Sequence, residues 1–476
     1  MLNKSGALAG RFCTVCAVCF CAVILIQNIP GILTGQPLVV LLGLLAGCGL
    51  LALSLRYLRP FRGFAAALFF VRFALALFFI LWLGSQPVQD FATMYAAAGQ
   101  LAQGSRAYLD NIYFFNWAYQ SAFVAYEALV MALFGHSLFP LQLFNAVWLA
   151  GTNVLVYLIA KRFLPEKAAM AVGILYALYP APLFLAGVLT NQHLSVFLLY
   201  SALYLLLGKD LTPLRALSAG ALIALGNAMR PIGVILMLAA LLWLLIRALH
   251  RADWRCALHG LYVAVSYFAV GAVLSSLIVV TGINPEGLSN NQPMWKFVVG
   301  LNQDSSGSWN RADYESYLSL PTQQAHEAMT KAVQERLSVG PVKLAGLAWR
   351  KSAVMWAGNE DLYWGFGHLD QDAPALTFPV TLSWNSIQLL LGSLDKGIYL
   401  LAFALALAGL FLRLRSPERC GRSLPLVLLL CGYYAVHLIV EVQSRYRYFL
   451  MPCVFLLAGI AISRLLPEKD CSDPNF

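Results

Sequence analysis

Twelve long apolar runs, nearly free of charged residues, constrain the fold of this sequence more than any other feature. Only 11% of the residues are charged, against about 25% in soluble domains, so the chain has too little polar surface to shield these runs from water. We therefore predict an all-α polytopic membrane protein, because a helix satisfies its own backbone hydrogen bonds within lipid. The predicted spans are 12–33, 37–55, 64–84, 138–160, 168–187, 193–208, 215–229, 231–246, 257–280, 396–412, 424–440 and 447–464.

The spacing of these runs divides the chain into five parts. One more apolar run, 121–134, is excluded from the spans because it is short and contains Glu127, so it fits an interfacial or re-entrant helix better. The five parts are N-terminal transmembrane helices at 1–84, a first external loop with juxtamembrane helices at 85–137, further transmembrane helices at 138–280, a large external loop at 281–395, and C-terminal transmembrane helices with a short cytoplasmic tail at 396–476.

The distribution of charge predicts the orientation of the chain. With the N-terminus inside, the inner segments hold 19 of the 32 Lys and Arg residues but only 7 of the 22 acidic ones. Cytoplasmic loops carry such an excess of cations, so we predict a multi-pass protein of the inner (plasma) membrane with both termini cytoplasmic. The net charge of +10 is then mainly a topology signal and requires no nucleic-acid partner. Arg72 lies within a span, where we expect it to snorkel inward.

The segments between the spans indicate where chemistry takes place. The inner segments contain no nucleotide-binding motif, so we predict an active site on the extracytoplasmic face and no cofactor, with a divalent metal left open. All ten cysteines lie in spans or inner segments, which argues against a disulfide framework.

In the large external loop we predict an amphipathic helix at 323–337. The large external loop also contains five tryptophans, which either stack on sugars or form a small core, and the sequence leaves both interpretations open. They are Trp295, Trp309, Trp349, Trp356 and Trp364.

Asp90 is the residue that most suggests catalysis. It lies just after the third predicted span, in QPVQDFATMYAAAGQLAQG (86–104), at the start of a predicted amphipathic helix. The helix dipole alone would favour a carboxylate at that position. A carboxylate at the lipid boundary can equally accept the proton of an acceptor hydroxyl during transfer of a lipid-borne group. The residues by themselves leave both interpretations open.

The order of residues after Asp90 resembles the first external loop of the GT-C superfamily of polytopic glycosyltransferases. Asp90 is followed by Tyr and small residues, by Gly104, and by the aromatic stretch YFFNWAYQSAFVAYEALVMALFG (113–135). The superfamily includes the protein O-mannosyltransferases and the bacterial aminoarabinose transferases. The resemblance implies a polyprenyl-phosphate sugar as donor and Asp90 as the general base.

The resemblance extends, with loose motifs, over most of the chain. GNAMRPIG (226–233) resembles the place where the family carries a cation near the lipid phosphate, and EVQSRYRYFLMP (441–452) resembles an outer-face Arg and Tyr motif. The chain departs from the family pattern at two places: the segment from Trp117 to Gln120 lacks a proline, and the segment 190–193 lacks a second acid. We expect His193, in the latter segment, to be a polar interface residue. The implied donor-phosphate ligands are Arg230, Arg445 and Arg447, and the implied substrate-binding residues are Tyr95, Gln120, Glu127, Asn191 and Tyr446.

The outer arginines also have a physical interpretation. Most cations of the chain are predicted to lie on the cytoplasmic side, whereas these arginines are predicted to lie on the outer side. They therefore require an anionic partner, and a lipid phosphate is a natural one. The alternative is an interfacial belt of snorkelling arginines and aromatic residues. We predict an inverting hexosyltransferase, similar to mannosyltransferases, that moves a sugar from a polyprenyl-phosphate donor to an extracytoplasmic glycan, lipid or protein. The alternatives are an O-antigen-type polymerase or ligase and a lipid-sugar flippase or transporter.

Overall fold

A computed structural model of the protein describes residues 2–208, 210–251, 253–377, 379–415 and 421–466. Helices dominate it, and the predicted all-α polytopic architecture is confirmed. Residues 467–476, which form most of the predicted cytoplasmic tail after the span 447–464, lie outside the described residues. Seven of the described helices are long and apolar enough to cross a membrane. They are α1 (Leu2–Thr34), α2 (Pro37–Tyr57), α3 (Phe64–Leu83), α7 (Leu138–Ala160), α12 (Gly233–Arg251), α13 (Arg255–Val280) and α19 (Trp384–Arg415).

Shorter helices form the other five predicted spans, so the count of twelve spans stays a prediction. They pack among the long helices, with α11 between α10 and α13, and α21 against α19. These helices are α8 (Glu166–Ala177), followed by α9 (Ala181–Phe184), α10 (Gln192–Leu206), α11 (Pro213–Met229), α20 (Leu424–His437) and α21 (Met451–Ser463). A 3-10 helix, Ser444–Phe449, lies between α20 and α21.

The two predicted external loops are largely helical and meet at one end of the bundle, which we call the loop end. The Tyr119 backbone N–H donates to the Ser289 carbonyl at 3.0 Å, and the Asn284 amide donates to the Phe114 carbonyl at 2.8 Å. The first loop contains α4 (Asp90–Ala102), α5 (Ile112–Asn116) and α6 (Ser121–Phe134). The second contains α14 (Trp295–Gly300), α15 (Arg311–Asp313), a π-helical turn at Tyr314–Leu318, α16 (Thr322–Leu337), α17 (Pro341–Ala357), α18 (Glu360–Phe366) and the antiparallel strands β1 (Pro374–Leu376) and β2 (Leu382–Ser383).

The large loop has a small core of its own, and α16 confirms the helix predicted at 323–337. Met329 and neighbouring apolar residues on one face of α16 pack against α14, including Trp295. Trp356 and Trp364 are buried in the main core instead. Trp309 and Trp349 remain about half exposed. Packing therefore explains three of the five tryptophans, and two are available to contact a ligand.

The predicted span 168–187 is broken in the middle, because Pro180 lacks a backbone N–H and disfavours the helical conformation of the residue before it. The break leaves backbone carbonyls without helical partners, and Arg72 of α3 satisfies two of them. Its Nη1 donates to the carbonyl oxygen of Ala177 at 2.5 Å and to that of Tyr179 at 3.0 Å. The side chain is fully buried, so the expectation that Arg72 snorkels inward is wrong.

We expect Arg72→Met to lower the free energy of unfolding by about 1–3 kcal/mol, because it removes two charge-assisted hydrogen bonds and leaves buried carbonyls unpaired. Thermal unfolding of the detergent-solubilised protein measures the effect. Arg72→Lys, which keeps one cationic donor, is the control and should lose less. Equal stability of Arg72→Met and the wild type would show that the helix break does not depend on the guanidinium.

Helix α19 begins at Trp384 rather than near residue 396, where the sequence predicts a span to start. The pair Asp395 and Lys396 resembles a polar boundary in the sequence, but both side chains are buried. Asp395 accepts the backbone N–H of Ala181 at 2.8 Å, and Lys396 donates to the Asn28 side chain at 2.9 Å. Because both charges have partners within the bundle, the helix continues through them.

Glycines bring α2 and α19 into backbone contact. A Cβ placed on Gly397 would lie 2.5 Å from the Val40 carbonyl oxygen, and one on Gly43 would lie 2.6 Å from the Leu394 carbonyl oxygen. Contacts this short exclude any side chain at either position. Small residues at helix interfaces are the usual means of close packing between membrane helices.

Candidate active site

Helix α4 places Asp90 at the loop end, directly after a strained residue. Gln89 has φ 51° and ψ −130°, a backbone conformation that residues with a Cβ rarely adopt. Such strain costs roughly 1–3 kcal/mol, persists only where surrounding contacts impose it, and is concentrated at functional sites. Asp90 is exposed in the first turn of α4, where the helix dipole favours a negative charge.

The surroundings of Asp90 raise the pKa of its carboxyl above the usual value. The surrounding protein displaces water from the neighbourhood of this exposed carboxyl, and that loss of solvation is the largest influence and acts upward. The positive charges of Arg445 and Lys296 oppose it, whereas the negative charge of Glu441 adds to it. A carboxylate with a raised pKa is a stronger proton acceptor once it is ionised, which is the property that a general base needs.

Aromatic rings hold Arg445 at the N-terminus of α4. Its guanidinium carbon lies 4.2 Å from the centroid of the Trp364 ring and 5.1 Å from that of the Phe91 ring, distances typical of cation–π contacts. The two rings contact each other edge to face at 5.2 Å. The Nε of Arg445 also donates to the Gln443 side-chain oxygen at 2.6 Å. Because Phe91 follows Asp90 directly, these contacts place the arginine beside the carboxylate.

A buried glutamate ties the large loop to this region. Glu441 forms an ion pair with Lys296 and accepts a hydrogen bond from the Gln443 amide at 2.8 Å. Burial is the largest influence on the pKa of Glu441 and acts upward, but the charge and hydrogen bond of Lys296 outweigh it, and the pKa is lowered. A chain of hydrogen bonds thus runs from Lys296 through Glu441 and Gln443 to Arg445. The ion-pair partner of Glu441 is Lys296.

Arg230 reaches the same region from the end of α11. Its Nη1 donates to the Asn191 side-chain oxygen at 3.0 Å, and the Asn191 amide donates to the Gln120 side-chain oxygen at 3.2 Å. The Tyr446 ring lies between the two arginines, with its centroid 4.9 Å from the Arg230 guanidinium carbon and 5.9 Å from that of Arg445. The predicted site residues that meet here are Gln120, Asn191, Arg230, Arg445 and Tyr446.

The segment 190–193 fixes the backbone of the 3-10 helix that carries these groups. The Gln192 amide donates to the Arg445 carbonyl at 2.8 Å. The His193 ring joins the Tyr448 hydroxyl at 2.7 Å to the Leu185 carbonyl at 2.9 Å and is fully buried. His193 therefore has a packing role inside the protein rather than a place at the membrane interface.

The structure separates Arg447 from the other two arginines. Arg447 is only 2% exposed and pairs with Asp361 at 2.6 Å. Its Nη1 also donates to the Gly358 carbonyl at 2.8 Å. Side chains two positions apart in a 3-10 helix point about 120° away from each other, which is why Arg445 and Arg447 face different surroundings. A donor phosphate would have to break the buried ion pair to reach Arg447, so we remove it from the set of donor ligands.

Tyr95 and Glu127 also lie apart from the arginines, between α4 and α6. The Tyr95 hydroxyl donates to the His136 carbonyl at 3.2 Å. Glu127 is fully buried, and neither of its carboxyl oxygens has a hydrogen-bond partner among the described residues. Burial raises the pKa of Glu127 well above its usual value. Among the described residues, no hydrogen bond links either side chain to Asp90.

Sequence reasoning missed Lys296, left Trp364 open between a ligand contact and a place in the core, and did not identify the partner of Glu441. Lys296 and Glu441 are separated by 145 positions, and Trp364 lies in a different helix from Arg445. No spacing rule connects residues so far apart in the chain. The only available signal was the proximity of Glu441 to the arginines within EVQSRYRYFLMP. The described residues contain no cluster of three or more His, Cys, Asp or Glu side chains that could hold a metal ion.

Residues 123–278 match the family described as dolichyl-phosphate-mannose-protein mannosyltransferase. The match confirms the resemblance to polytopic glycosyltransferases over that part of the chain. It contains Asn191 and Arg230, whereas Asp90 and Arg445 lie outside it. No curated protein matches the sequence.

Two solved structures are similar in a broad sense. The archaeal oligosaccharyltransferase AglB from Archaeoglobus fulgidus, in complex with an inhibitory peptide and a dolichol-phosphate, is 16% identical with a TM-score of 0.45 over 83% of this chain and 50% of its own. The present chain thus spans about half the length of AglB. ArnT from Cupriavidus metallidurans, bound to undecaprenyl phosphate, is 14% identical with a TM-score of 0.38 over 84% of this chain and 77% of its own. These values are too low to assign an activity or a ligand.

Proposed function

We propose that this protein is a membrane glycosyltransferase that moves a sugar from a polyprenyl-phosphate donor to a hydroxyl group of an extracytoplasmic acceptor. The observation that carries the proposal is the arrangement at the loop end. An exposed carboxylate, Asp90, lies beside Arg445, and the ring of Tyr446 joins Arg445 to Arg230. This arrangement offers a proton acceptor and two cations for a phosphate. The match to a mannosyltransferase family over 123–278 supports the reaction class.

The proposed reaction is a single displacement. Asp90 takes the proton of the acceptor hydroxyl as the acceptor oxygen attacks the anomeric carbon from the face opposite the phosphate. The bond between the anomeric carbon and the phosphate oxygen breaks, and polyprenyl phosphate leaves with one more negative charge than it carried in the donor. Because the attack comes from the opposite face, the configuration at the anomeric carbon inverts.

The two arginines stabilise the charge that develops on the leaving phosphate. A guanidinium binds phosphate with two parallel hydrogen bonds and cannot lose its proton at physiological pH. Groups held in place before the reaction contribute most, and removal of one such donor typically costs about 10²–10³-fold in rate. Arg445 is held by Trp364, Phe91 and Gln443, and Arg230 is held by Asn191. Contacts within the protein therefore position both charges.

Mass spectrometry of polyprenyl-linked sugars and surface glycans tests the proposal, in cells with and without the protein. We expect cells that lack it to accumulate a polyprenyl-monophosphate sugar and to lose that sugar from a surface acceptor. Accumulation of a lipid diphosphate oligosaccharide would favour the polymerase or ligase alternative. Unchanged lipid and glycan pools would reject transfer altogether.

The acid limb of the pH–rate profile should report the pKa of Asp90. Transfer requires the ionised carboxylate, so the rate should fall as the pH decreases through a pKa that is raised from 3.8. Arg445→Gln removes a positive charge and should move the limb to higher pH, whereas Glu441→Gln removes a negative charge and should move it to lower pH. Purified enzyme assayed at constant ionic strength gives the limb position independently of the maximal rate. Shifts of the same sign in both variants would contradict the assignment.

A further inference from the structure

A groove at the end of the bundle opposite the loop end combines an apolar interior with a cationic mouth. Its volume is about 560 Å³, within the roughly 300–1,000 Å³ typical of ligand sites. Leu51 and Leu55 of α2 line one side, and Leu401 and Leu405 of α19 line the other. We call it the α2–α19 groove. It lies outside the candidate active site and takes no part in the proposed transfer.

The cationic mouth is formed by Arg56, which lines the groove in the last turn of α2. Its guanidinium carbon lies 5.3 Å from the centroid of the neighbouring Tyr57 ring, and both side chains are exposed. On the other side, Leu465 and Leu466 complete the lining, and the exposed Arg464 directly precedes them. Acidic side chains are absent from the described residues that line the groove. The described lining of the groove is therefore positively charged.

The packing of the two helices explains why the space exists. Gly43 and Gly397 bring the backbones of α2 and α19 together at one level, and the groove begins about one helical turn further along, at Cys48 and Leu401. Leucine side chains cover its walls but do not fill it. An open apolar space of this size would be costly in water, so we expect a hydrocarbon chain to occupy it in the membrane.

We propose that the α2–α19 groove binds an anionic phospholipid, with an acyl chain along the leucines and the phosphate against Arg56. Arg59 and Arg62 follow in the segment between α2 and α3 and are also exposed, so this end of the groove has further cations for a headgroup with a net negative charge. An excess of cations at this end is also the usual topology signal. The topology signal explains the cations but does not require an apolar groove beside Arg56. The combination of a cation and an adjoining apolar groove is what indicates a bound lipid.

Native mass spectrometry of the full-length protein in nanodiscs with equal amounts of phosphatidylglycerol and phosphatidylcholine tests the site. The wild type should retain phosphatidylglycerol preferentially. Arg56→Gln should reduce that preference about fivefold, the factor that corresponds to roughly one surface cation. Ala52→Trp, at a lining position, should fill the groove and abolish retention of either lipid. Leu258→Trp, which adds the same ring to an exposed position of α13, should retain the lipid.

Arg255→Gln is the matched control for charge, because Arg255 is exposed at the start of α13 and does not line the groove. If it lowers the preference as much as Arg56→Gln does, the lipid responds only to overall surface charge and the site is rejected. Equal retention of the two lipids by the wild type also rejects it. Neither result depends on the proposed transfer activity, since the readout is lipid binding.

Discussion

Replacement of Asp90 by asparagine should lower the rate of sugar transfer by about 10²–10⁴-fold, the usual contribution of a positioned general base. The amide has nearly the same size but does not accept the proton of the acceptor hydroxyl. Arg230 and Arg445 are unchanged, so KM for the donor should stay close to that of the wild type. The donor purified from cells that lack the protein, supplied to membranes that contain each variant, allows kcat and KM to be measured separately.

The matched control is Asp110→Asn, because Asp110 is an exposed carboxylate in the same loop. It should transfer sugar at nearly the wild-type rate. Thermal unfolding of both variants verifies that the loop end is intact, and the exposed position of Asp90 predicts little change there. Full activity of Asp90→Asn in a folded protein would show that another group accepts the proton.

Replacement of Arg447 by methionine should lower the free energy of unfolding by about 3–5 kcal/mol, because it leaves the Asp361 carboxylate buried without its partner. Both side chains of the pair are at least 94% buried, with exposures of 3% and 6%. A loss of this size is large against a total stability of about 5–15 kcal/mol. Thermal or denaturant unfolding in detergent measures it. Transfer should also decrease, since the same 3-10 helix carries Arg445.

The double variant Arg447→Met with Asp361→Leu separates the structural role from a role in donor binding. Removal of both charges should restore most of the stability, and if Arg447 does not bind the donor, transfer should return with it. A stable double variant that stays inactive would put Arg447 back among the donor ligands. Lys331→Met is the surface control, because the pair of Lys331 and Glu335 is exposed, and it should cost no more than about 1 kcal/mol.

The sequence by itself determined the helical class of the protein and some of its local helices. Its apolar runs and the scarcity of charge predict an all-α membrane protein, since backbone polar groups in lipid must be satisfied within a helix. Local sequence signals were also sufficient to predict helix α16 and the start of helix α4 at Asp90. These features depend on neighbouring residues, and neighbouring residues are what a single sequence displays.

Only the tertiary structure decided which charged residues share an environment. Arg445 and Arg447 are nearly equivalent in the sequence, yet one lies beside Asp90 and the other is buried against Asp361. Arg72 looked like a residue that snorkels to the surface, but it satisfies carbonyls at a helix break within the bundle. The physical reason is that the environment of a charge depends on groups that lie far along the chain. Burial and pairing set that environment, and helix packing brings those groups together.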